Sequence, residues 1–189
     1  MWVYAELRLS GSGGQGLMLA GQILAEAAGV YEGHHVVQTR SYGPEARGGA
    51  SRSEVIISDQ EIDYPEVTAP DIVLAMTQEA ASKYHSDLKP EGILIIDPQF
   101  VYEPPRLQPG QRLYAIPLTA LAAEKSGRKV TANMVALGVI CALGGLVGPA
   151  ALERAVLARV PCGTEDMNRR ALQAGLEAAR ACQEGAVLS

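Results

Sequence analysis

Short apolar runs alternate with segments of helical periodicity along most of the chain. Residues 4–9 alternate apolar and polar side chains, which predicts a strand, and apolar residues then recur at helical spacing from Leu17 to Ala27. Continuous apolar runs at 71–76 and 92–97 predict strands that are buried on both faces. This alternation predicts an α/β fold with three layers, in which a Rossmann-like, mostly parallel sheet carries helices on both faces.

Further elements continue the pattern through the rest of the chain. We predict strands around 35–39, 55–57 and 113–117, and helices at 78–88, 118–126, 132–143, 149–160 and from 165 onward. The helix that begins at Ala132 is apolar on nearly every side, so we expect it to be buried in the core or against another chain. Because 189 residues are enough for a full core, we predict one domain over residues 1–189.

Composition and charge narrow the function classes. The net charge of −5 argues against a nucleic-acid-binding protein, which usually carries a basic face. Cys141, Cys162 and Cys182 lie far apart without a CxxC pair, so no metal or iron–sulfur site is predicted, and we expect reduced, small buried residues. The N-terminus lacks a signal-peptide pattern and the apolar helix is too short to span a bilayer, so we expect a cytoplasmic protein without membrane attachment.

A glycine-rich stretch stands where the first strand ends and the first helix begins. It contains Gly11, Gly13, Gly14 and Gly16, and the missing Cβ atoms let the chain turn sharply and approach another group closely. The start of the helix offers unpaired N–H groups and the positive end of the helix dipole. The stretch therefore predicts a binding site for a phosphate or another anion.

Two other interpretations apply to the same glycines. Their GxGxxG spacing matches the dinucleotide-binding fingerprint, which requires an acidic residue at the end of the second strand. The strand at 35–39 runs into Arg40 and Ser41 instead, and this argues against an NAD site. Alternatively, the glycines only allow the helix to pack closely on the sheet.

A second unusual stretch spans residues 39–52 and carries three glycines, one proline and three arginines. A long polar loop inside a compact domain is usually functional, and arginine binds phosphate or carboxylate through paired hydrogen bonds. The alternative is a solvent-exposed hairpin connection with scattered charges. Because we expect the two stretches to follow neighbouring strands, we predict that they face each other across one cleft at the carboxyl ends of the strands.

Three segments of the chain carry a resemblance to a known family: residues 11–16 (GSGGQG), 37–51 (VQTRSYGPEARGGAS) and 132–138 (ANMVALG). They are similar to the gamma subunit of 2-oxoacid:ferredoxin oxidoreductases, and the resemblance covers nearly the whole chain. The Ser-Tyr-Gly-Pro-Glu sequence at 41–45 is most similar to the 2-oxoglutarate branch of that family, not to the pyruvate branch.

This resemblance implies an enzyme subunit that is active only in a complex. In the family, thiamine diphosphate attacks the 2-oxoacid, CO2 leaves, iron–sulfur clusters carry electrons to ferredoxin, and the acyl group passes to coenzyme A. The chain has no Gly-Asp-Gly thiamine motif and no cluster cysteines, so these centres are expected on partner subunits called alpha, beta and delta. The gamma module is associated with coenzyme A binding and with closure over the thiamine site, and no catalytic residue is expected here.

The resemblance implies a coenzyme A site that combines the glycine-rich stretch with the stretch at residues 39–52. The glycines and Gln15 are expected to offer backbone and amide contacts to the phosphates or the pantetheine arm, and Arg40 and Arg47 to neutralise phosphate charge. Residues 41–45 are expected to shape the wall toward the thiamine site, with pairing to Arg47 as an alternative, structural role for Glu45. The complete set of expected site residues is Gly11, Gly13, Gly14, Gln15, Gly16, Arg40, Ser41, Tyr42, Gly43, Pro44, Glu45, Arg47, Gly48 and Gly49.

Several alternatives stay open on the sequence. Asn133 either caps the apolar helix or donates a hydrogen bond to a loop. Two rival functions are a stand-alone Rossmann-type oxidoreductase that uses NAD or FAD, and a non-catalytic assembly module whose glycines serve packing. The choice between 2-oxoglutarate and a branched-chain 2-oxoacid stays open, because the pocket that binds the acid is expected on another subunit. A homodimer is an alternative state of the isolated chain.

Overall fold

A six-stranded sheet forms the centre of residues 3–41 and 51–187, the part of the chain that the computed structural model describes. The strands are β1 (Tyr4–Gly11), β2 (His35–Ser41), β3 (Ser51–Ser58), β4 (Ile72–Ala75), β5 (Ile93–Ile96) and β6 (Arg112–Ala115). They are hydrogen-bonded in the order β2-β3-β1-β4-β5-β6.

The sheet is mixed but mostly parallel, as predicted. Strands β1, β4, β5 and β6 run in one direction. Strand β3 is antiparallel to both of its neighbours, β1 and β2, so β2 runs in the same direction as β1. The expectation that β1 and β2 are neighbours is wrong, because β3 lies between them. The connection between β2 and β3 is too short for a crossover helix, and the two strands therefore pair as a hairpin.

The helices lie close to their predicted positions. They are α1 (Leu17–Glu26), α2 (Gln78–Tyr84), α3 (Leu118–Leu121), α4 (Ala132–Gly144), α5 (Pro149–Arg159) and α6 (Glu165–Val187). Helices α1 and α3 each continue as a π-helical turn, at Ala27–Tyr31 and Ala122–Ser126. A 3-10 turn, Lys129–Thr131, leads directly into α4.

Helices cover both faces of the sheet, but unequally. Leu7 and Leu9 of β1 belong to the large apolar cluster that includes α1, α4, α5 and α6. Val73 and Leu94 point to the other face, where a smaller cluster contains residues of α2. The alternation of side chains along each strand thus divides the core into two parts of different size.

The polar residues of β1 are buried, which the alternating pattern did not indicate. Arg8 is only 3% exposed, its Nε donates to Glu54 Oε1 at 2.7 Å, and its Nη1 pairs with Asp87. The guanidinium group also lies 5.0 Å from the centre of the Tyr84 ring. A buried charge is tolerated when other groups of the protein satisfy its hydrogen bonds. These partners do so for Arg8 on the face of the sheet that carries α2.

Helix α4 is buried within the core of the chain itself. Its closest neighbour is α6, and a Cβ atom on Gly138 would overlap the carbonyl oxygen of Leu172, while one on Gly175 would overlap that of Val135. The two helix backbones therefore approach each other closely at these glycines. Within residues 3–41 and 51–187, no helix combines the length and apolar character needed to cross a bilayer.

The expectation of three buried cysteines is correct only for Cys141. Its Sγ donates to the carbonyl oxygen of Val147, and burial, with a smaller contribution from Glu32, raises the pKa of the thiol to about 11. Cys162 and Cys182 are free but exposed, because both lie at the surface of the helical layer.

We predict that Gly175→Ala lowers the free energy of unfolding by about 2 kcal/mol, because overpacking outweighs the better helix propensity of alanine. Urea unfolding followed by circular dichroism measures the change. Gln173→Ala, on the exposed side of the same helix, is the control and should change stability by less than about 0.5 kcal/mol. Wild-type stability of Gly175→Ala would contradict the close backbone contact.

Candidate functional site

The glycine turn, residues 11–16, connects β1 to α1 at the carboxyl end of the sheet. Gly14 and Gly16 have φ values of 88° and 73°, in the left-handed region that favours glycine. Gly11 is buried, and a Cβ there would lie 3.2 Å from Cβ of Met76. Gly13 is exposed, and a Cβ there would meet no atom within 4 Å. Packing therefore explains part of the turn, and the part around Gly13 is exposed.

Gln15 holds the turn in place with both ends of its side-chain amide. Its Oε1 accepts from the backbone N–H of Ser12 at 2.8 Å, and its Nε2 donates to the carbonyl oxygen of Met76 at 3.1 Å. The amide thus joins the turn to the end of β4. The contacts that the side chain of Gln15 makes are therefore internal to the protein.

Of the two roles that the sequence left open for Asn133, the structure supports the hydrogen bond to a loop, because the N-cap of α4 is Thr131 and Asn133 lies within the first turn of the helix. Its Nδ2 donates to the carbonyl oxygen of Gly16 at 3.1 Å, and its Oδ1 accepts from the backbone N–H of Met134 at 3.0 Å. The residue is 4% exposed. It therefore satisfies an N–H group in the first turn of α4 and fixes the glycine turn against that helix.

A depression of about 290 Å³ opens beside the glycine turn, at the carboxyl ends of β1, β4 and β5. The backbone N–H groups of Gly13, Gly14 and Gly16 have no acceptor among the described residues, and α1 and α4 both begin here. Lys129 adds a positive charge, and no acidic side chain of the described residues lines the depression. The lining residues are Gly14, Gln15, Met76, Phe100, Thr119, Lys129, Val130 and Ala132. This arrangement suits an anion with an attached apolar group.

Lys129, Phe100 and Val130 were not identified from the sequence. Phe100 follows β5 and the other two precede α4, so only the folded chain brings them to the glycine turn. One signal was available: Arg128 and Lys129 form a basic pair directly before the start of the apolar helix.

The second stretch meets the glycine turn at the same end of the sheet. Ser41 pairs with Arg52 across the β2–β3 hairpin, and Ser51 pairs with Gly11 and donates from Oγ to its carbonyl oxygen at 3.2 Å. Arg40 is an exposed residue of β2, so the stretch is strand at both ends. The other expected site residues, Tyr42, Gly43, Pro44, Glu45, Arg47, Gly48 and Gly49, lie outside the described residues, as does the alternative pairing of Glu45 with Arg47.

A larger cavity of about 650 Å³ lies at the opposite, amino end of the sheet, between the starts of β4 and β5 and the end of α4. Size alone would favour it as a ligand site. However, Lys89 in its wall is already paired with Asp71 at 2.7 Å, and open α/β sheets bind ligands beyond the carboxyl ends of their strands. The glycine turn, with its open N–H groups, is therefore the better candidate.

Comparison with known proteins identifies the class to which this fold and site belong. Residues 6–178 match the family described as pyruvate ferredoxin/flavodoxin oxidoreductase, and the chain belongs to that family. It is 49% identical over 177 residues to the 2-oxoglutarate synthase subunit KorC of Methanothermobacter marburgensis. The matched region covers 91% of this chain and 95% of that relative. The chain is accordingly a subunit of a 2-oxoacid:ferredoxin oxidoreductase complex, of the gamma type.

Two solved structures share the fold. The gamma subunit of keto/oxoacid ferredoxin oxidoreductase from Geobacter sulfurreducens is 48% identical, with a TM-score of 0.84 over 94% of this chain and 99% of that chain. The 2-oxoglutarate:ferredoxin oxidoreductase from Magnetococcus marinus, with 2-oxoglutarate, coenzyme A and succinyl-CoA bound, has a TM-score of 0.81 at 24% identity. That likeness covers 94% of this chain but 31% of the longer one, and it shows the fold.

Two glycines of the same turn should respond differently to the same substitution. Gly16→Ala is expected to lower the free energy of unfolding by about 2 kcal/mol, because alanine is strained in the left-handed region and its Cβ would overlap Asn133. Gly13→Ala should change stability by less than about 0.5 kcal/mol. Urea unfolding of both variants measures the difference, and equal stabilities would show that Asn133 does not constrain the turn.

Proposed function

We propose that this chain is the gamma subunit of a 2-oxoglutarate:ferredoxin oxidoreductase, that it binds coenzyme A beside the glycine turn, and that it closes over a thiamine site on a partner subunit. The observation that carries the proposal is the depression at Gly14, where open backbone N–H groups, two helix starts and Lys129 surround one space. A phosphorylated carrier with a long uncharged arm has the chemistry that such a space accepts.

In this proposal the phosphates of coenzyme A accept hydrogen bonds from the N–H groups of Gly13 and Gly14. Lys129 lies at the same opening and neutralises part of the phosphate charge. Arg40 and Arg47, from the second stretch, contribute further positive charge. Met76, Phe100 and Val130 offer an apolar wall to the uncharged part of the carrier, which lowers the cost of removing it from water.

The reactive centres belong to the partners, which we propose to be alpha, beta and delta subunits. Bound there, thiamine diphosphate and iron–sulfur clusters supply decarboxylation and one-electron transfer. The described residues hold no cluster of three or more candidate metal ligands, and Cys141, Cys162 and Cys182 are free, so they offer no ligand set for an iron–sulfur cluster. The contribution of this chain is to hold the acyl acceptor and to exclude water, with residues 41–45 as the wall toward the thiamine site.

The choice of 2-oxoglutarate is supported by the name of the KorC relative and by the Ser-Tyr-Gly-Pro-Glu sequence at 41–45. Coenzyme A as the acceptor is supported by the Magnetococcus marinus enzyme, which has coenzyme A and succinyl-CoA bound. Family membership disfavours the rival hypothesis of a stand-alone NAD- or FAD-dependent enzyme. The rival assembly module gains support from Gly11 and Gly16, whose lack of a side chain is explained by packing.

The KM for coenzyme A separates these two hypotheses. In the assembled complex, Lys129→Ala is expected to raise the KM for coenzyme A about tenfold with little change in kcat, because one charged hydrogen bond to phosphate is lost. Lys125→Ala is the matched control: this lysine lies four residues earlier in the chain, pairs with Glu124 at 2.7 Å and is outside the depression. Steady-state kinetics at saturating 2-oxoglutarate measures both variants.

An unchanged KM for Lys129→Ala, or an equal rise for Lys125→Ala, would leave the assembly module as the better hypothesis. The same assay applied to Arg47→Ala tests the second stretch. A KM for coenzyme A equal to that of the wild type would remove Arg47 from the site.

A further inference from the structure

Two large exposed apolar side chains line the glycine-turn depression, and a third lies two residues along the chain from one of them. Phe100 and Val130 line it and are 39% and 66% exposed, and Tyr102, two residues beyond Phe100, is 74% exposed. We call Phe100, Tyr102 and Val130 the apolar rim. Exposed apolar side chains are ordinary when they are scattered singly, but a group around a binding site indicates a surface that another molecule covers.

Hydrogen bonds to the rest of the fold fix the loop that carries Phe100 and Tyr102. Asp97 is fully buried, and its carboxylate accepts from the backbone N–H groups of Gln99 at 3.1 Å and Thr119 at 2.9 Å. Its carbonyl oxygen accepts from the N–H of Phe100 at 3.0 Å. These bonds fix the loop to the end of β5 and to the start of α3.

The far end of the loop is fixed as well. The side-chain amide of Gln78 donates to the carbonyl oxygen of Glu103 at 2.8 Å and accepts from its N–H at 3.0 Å. Between these anchors, Val101 is 1% exposed and packs into the smaller core. Phe100 and Tyr102 on either side of it are therefore presented outward in fixed positions, and a partner that binds them has little loop entropy to overcome.

We propose that the apolar rim is the docking surface for a partner subunit of the same complex, the polypeptide that corresponds to the remainder of the longer relative. In that relative this fold makes up 31% of one chain, so a covalent connection keeps it beside the rest. The KorC relative of Methanothermobacter marburgensis, 95% of whose length matches this chain, does not carry that remainder, and a subunit of that kind needs a non-covalent interface in place of the connection. Rigid, exposed aromatic residues are the side chains that most often dominate such interfaces.

Docking at this surface places the depression between two polypeptides. The open side of the coenzyme site is then closed by the partner and not by this chain. This consequence rests on the proposed function, whereas the docking itself does not, because assembly is measured without coenzyme A.

The chain offers matched controls at its opposite end. Val30 and Tyr64 are 72% and 57% exposed, in the turn after α1 and in the connection from β3 to β4. Both segments lie at the amino end of the sheet, away from the glycine turn. If exposed apolar area alone favoured association, these residues would contribute as much as the apolar rim.

The test compares assembly of two variants with that of the wild type. One carries Phe100→Ser, Tyr102→Ser and Val130→Ser, and the other carries Val30→Ser and Tyr64→Ser. Each tagged chain is titrated with the complex that lacks this subunit, in the absence of coenzyme A, and the Kd is measured by biolayer interferometry. We expect the rim variant to bind at least about tenfold more weakly and the control variant to stay within about twofold of the wild type.

Two further measurements separate docking from folding. Thermal melting of each isolated chain is compared, and Tyr102→Phe, which keeps the ring, is expected to assemble like the wild type while Tyr102→Ser alone does not. Wild-type assembly of the triple variant, or equal weakening by the control variant, would overturn the proposal. So would self-association of the wild-type chain that the triple variant abolishes while binding to the partner stays intact, since the occupant would then be a second copy.

Discussion

The hydrogen bond from Asn133 Nδ2 to the carbonyl oxygen of Gly16 holds together the parts of the site. It joins residues that are 117 positions apart in the chain, at the place where the buried helix α4 begins and where β1 turns into α1. Because α4 is packed on all sides, its first turn cannot move independently of the core. The position of the glycine turn is thereby set by the core, and its N–H groups at Gly13, Gly14 and Gly16 have no acceptor among the described residues.

The reversed strand β3 gives the site its second part. It inserts between β1 and β2 and begins at the carboxyl end of the sheet, where Ser51 bonds to Gly11, and it then returns the chain to the amino end. A buried network of Arg8, Glu54 and Asp87 stabilises the same strands from the face that carries α2. The polar stretch is therefore anchored at its two ends to strands whose positions the core determines.

The residue types at the carboxyl end of the sheet indicate what this chain contributes to a complex. The described part of the chain offers backbone N–H groups, one lysine and exposed apolar side chains at one end of the sheet. Backbone N–H groups and a lysine are groups that bind anions, and they support the proposed role of this chain in holding a charged carrier.

The sequence by itself determined the local elements and the glycine turn. Apolar periodicity located the strands and helices within a few residues, because burial of one face acts on neighbouring positions, and the positive φ values of Gly14 and Gly16 match the predicted sharp turn. The sequence did not determine the order of the strands in the sheet, and the prediction that β1 and β2 are neighbours was wrong. Strand order depends on contacts between distant segments, which periodicity does not record.

Only the tertiary structure decided which groups surround the site. Lys129 and Phe100 reach the glycine turn from separate segments, and the side-chain amide of Gln15, which was expected to contact coenzyme A, bonds to the backbone of Ser12 and Met76. The exposure of Cys162 and Cys182 was likewise settled by the packing of the helical layer. In each case the deciding quantity is distance in space between residues that are far apart in the chain, and such distances are set by the packing of the whole core.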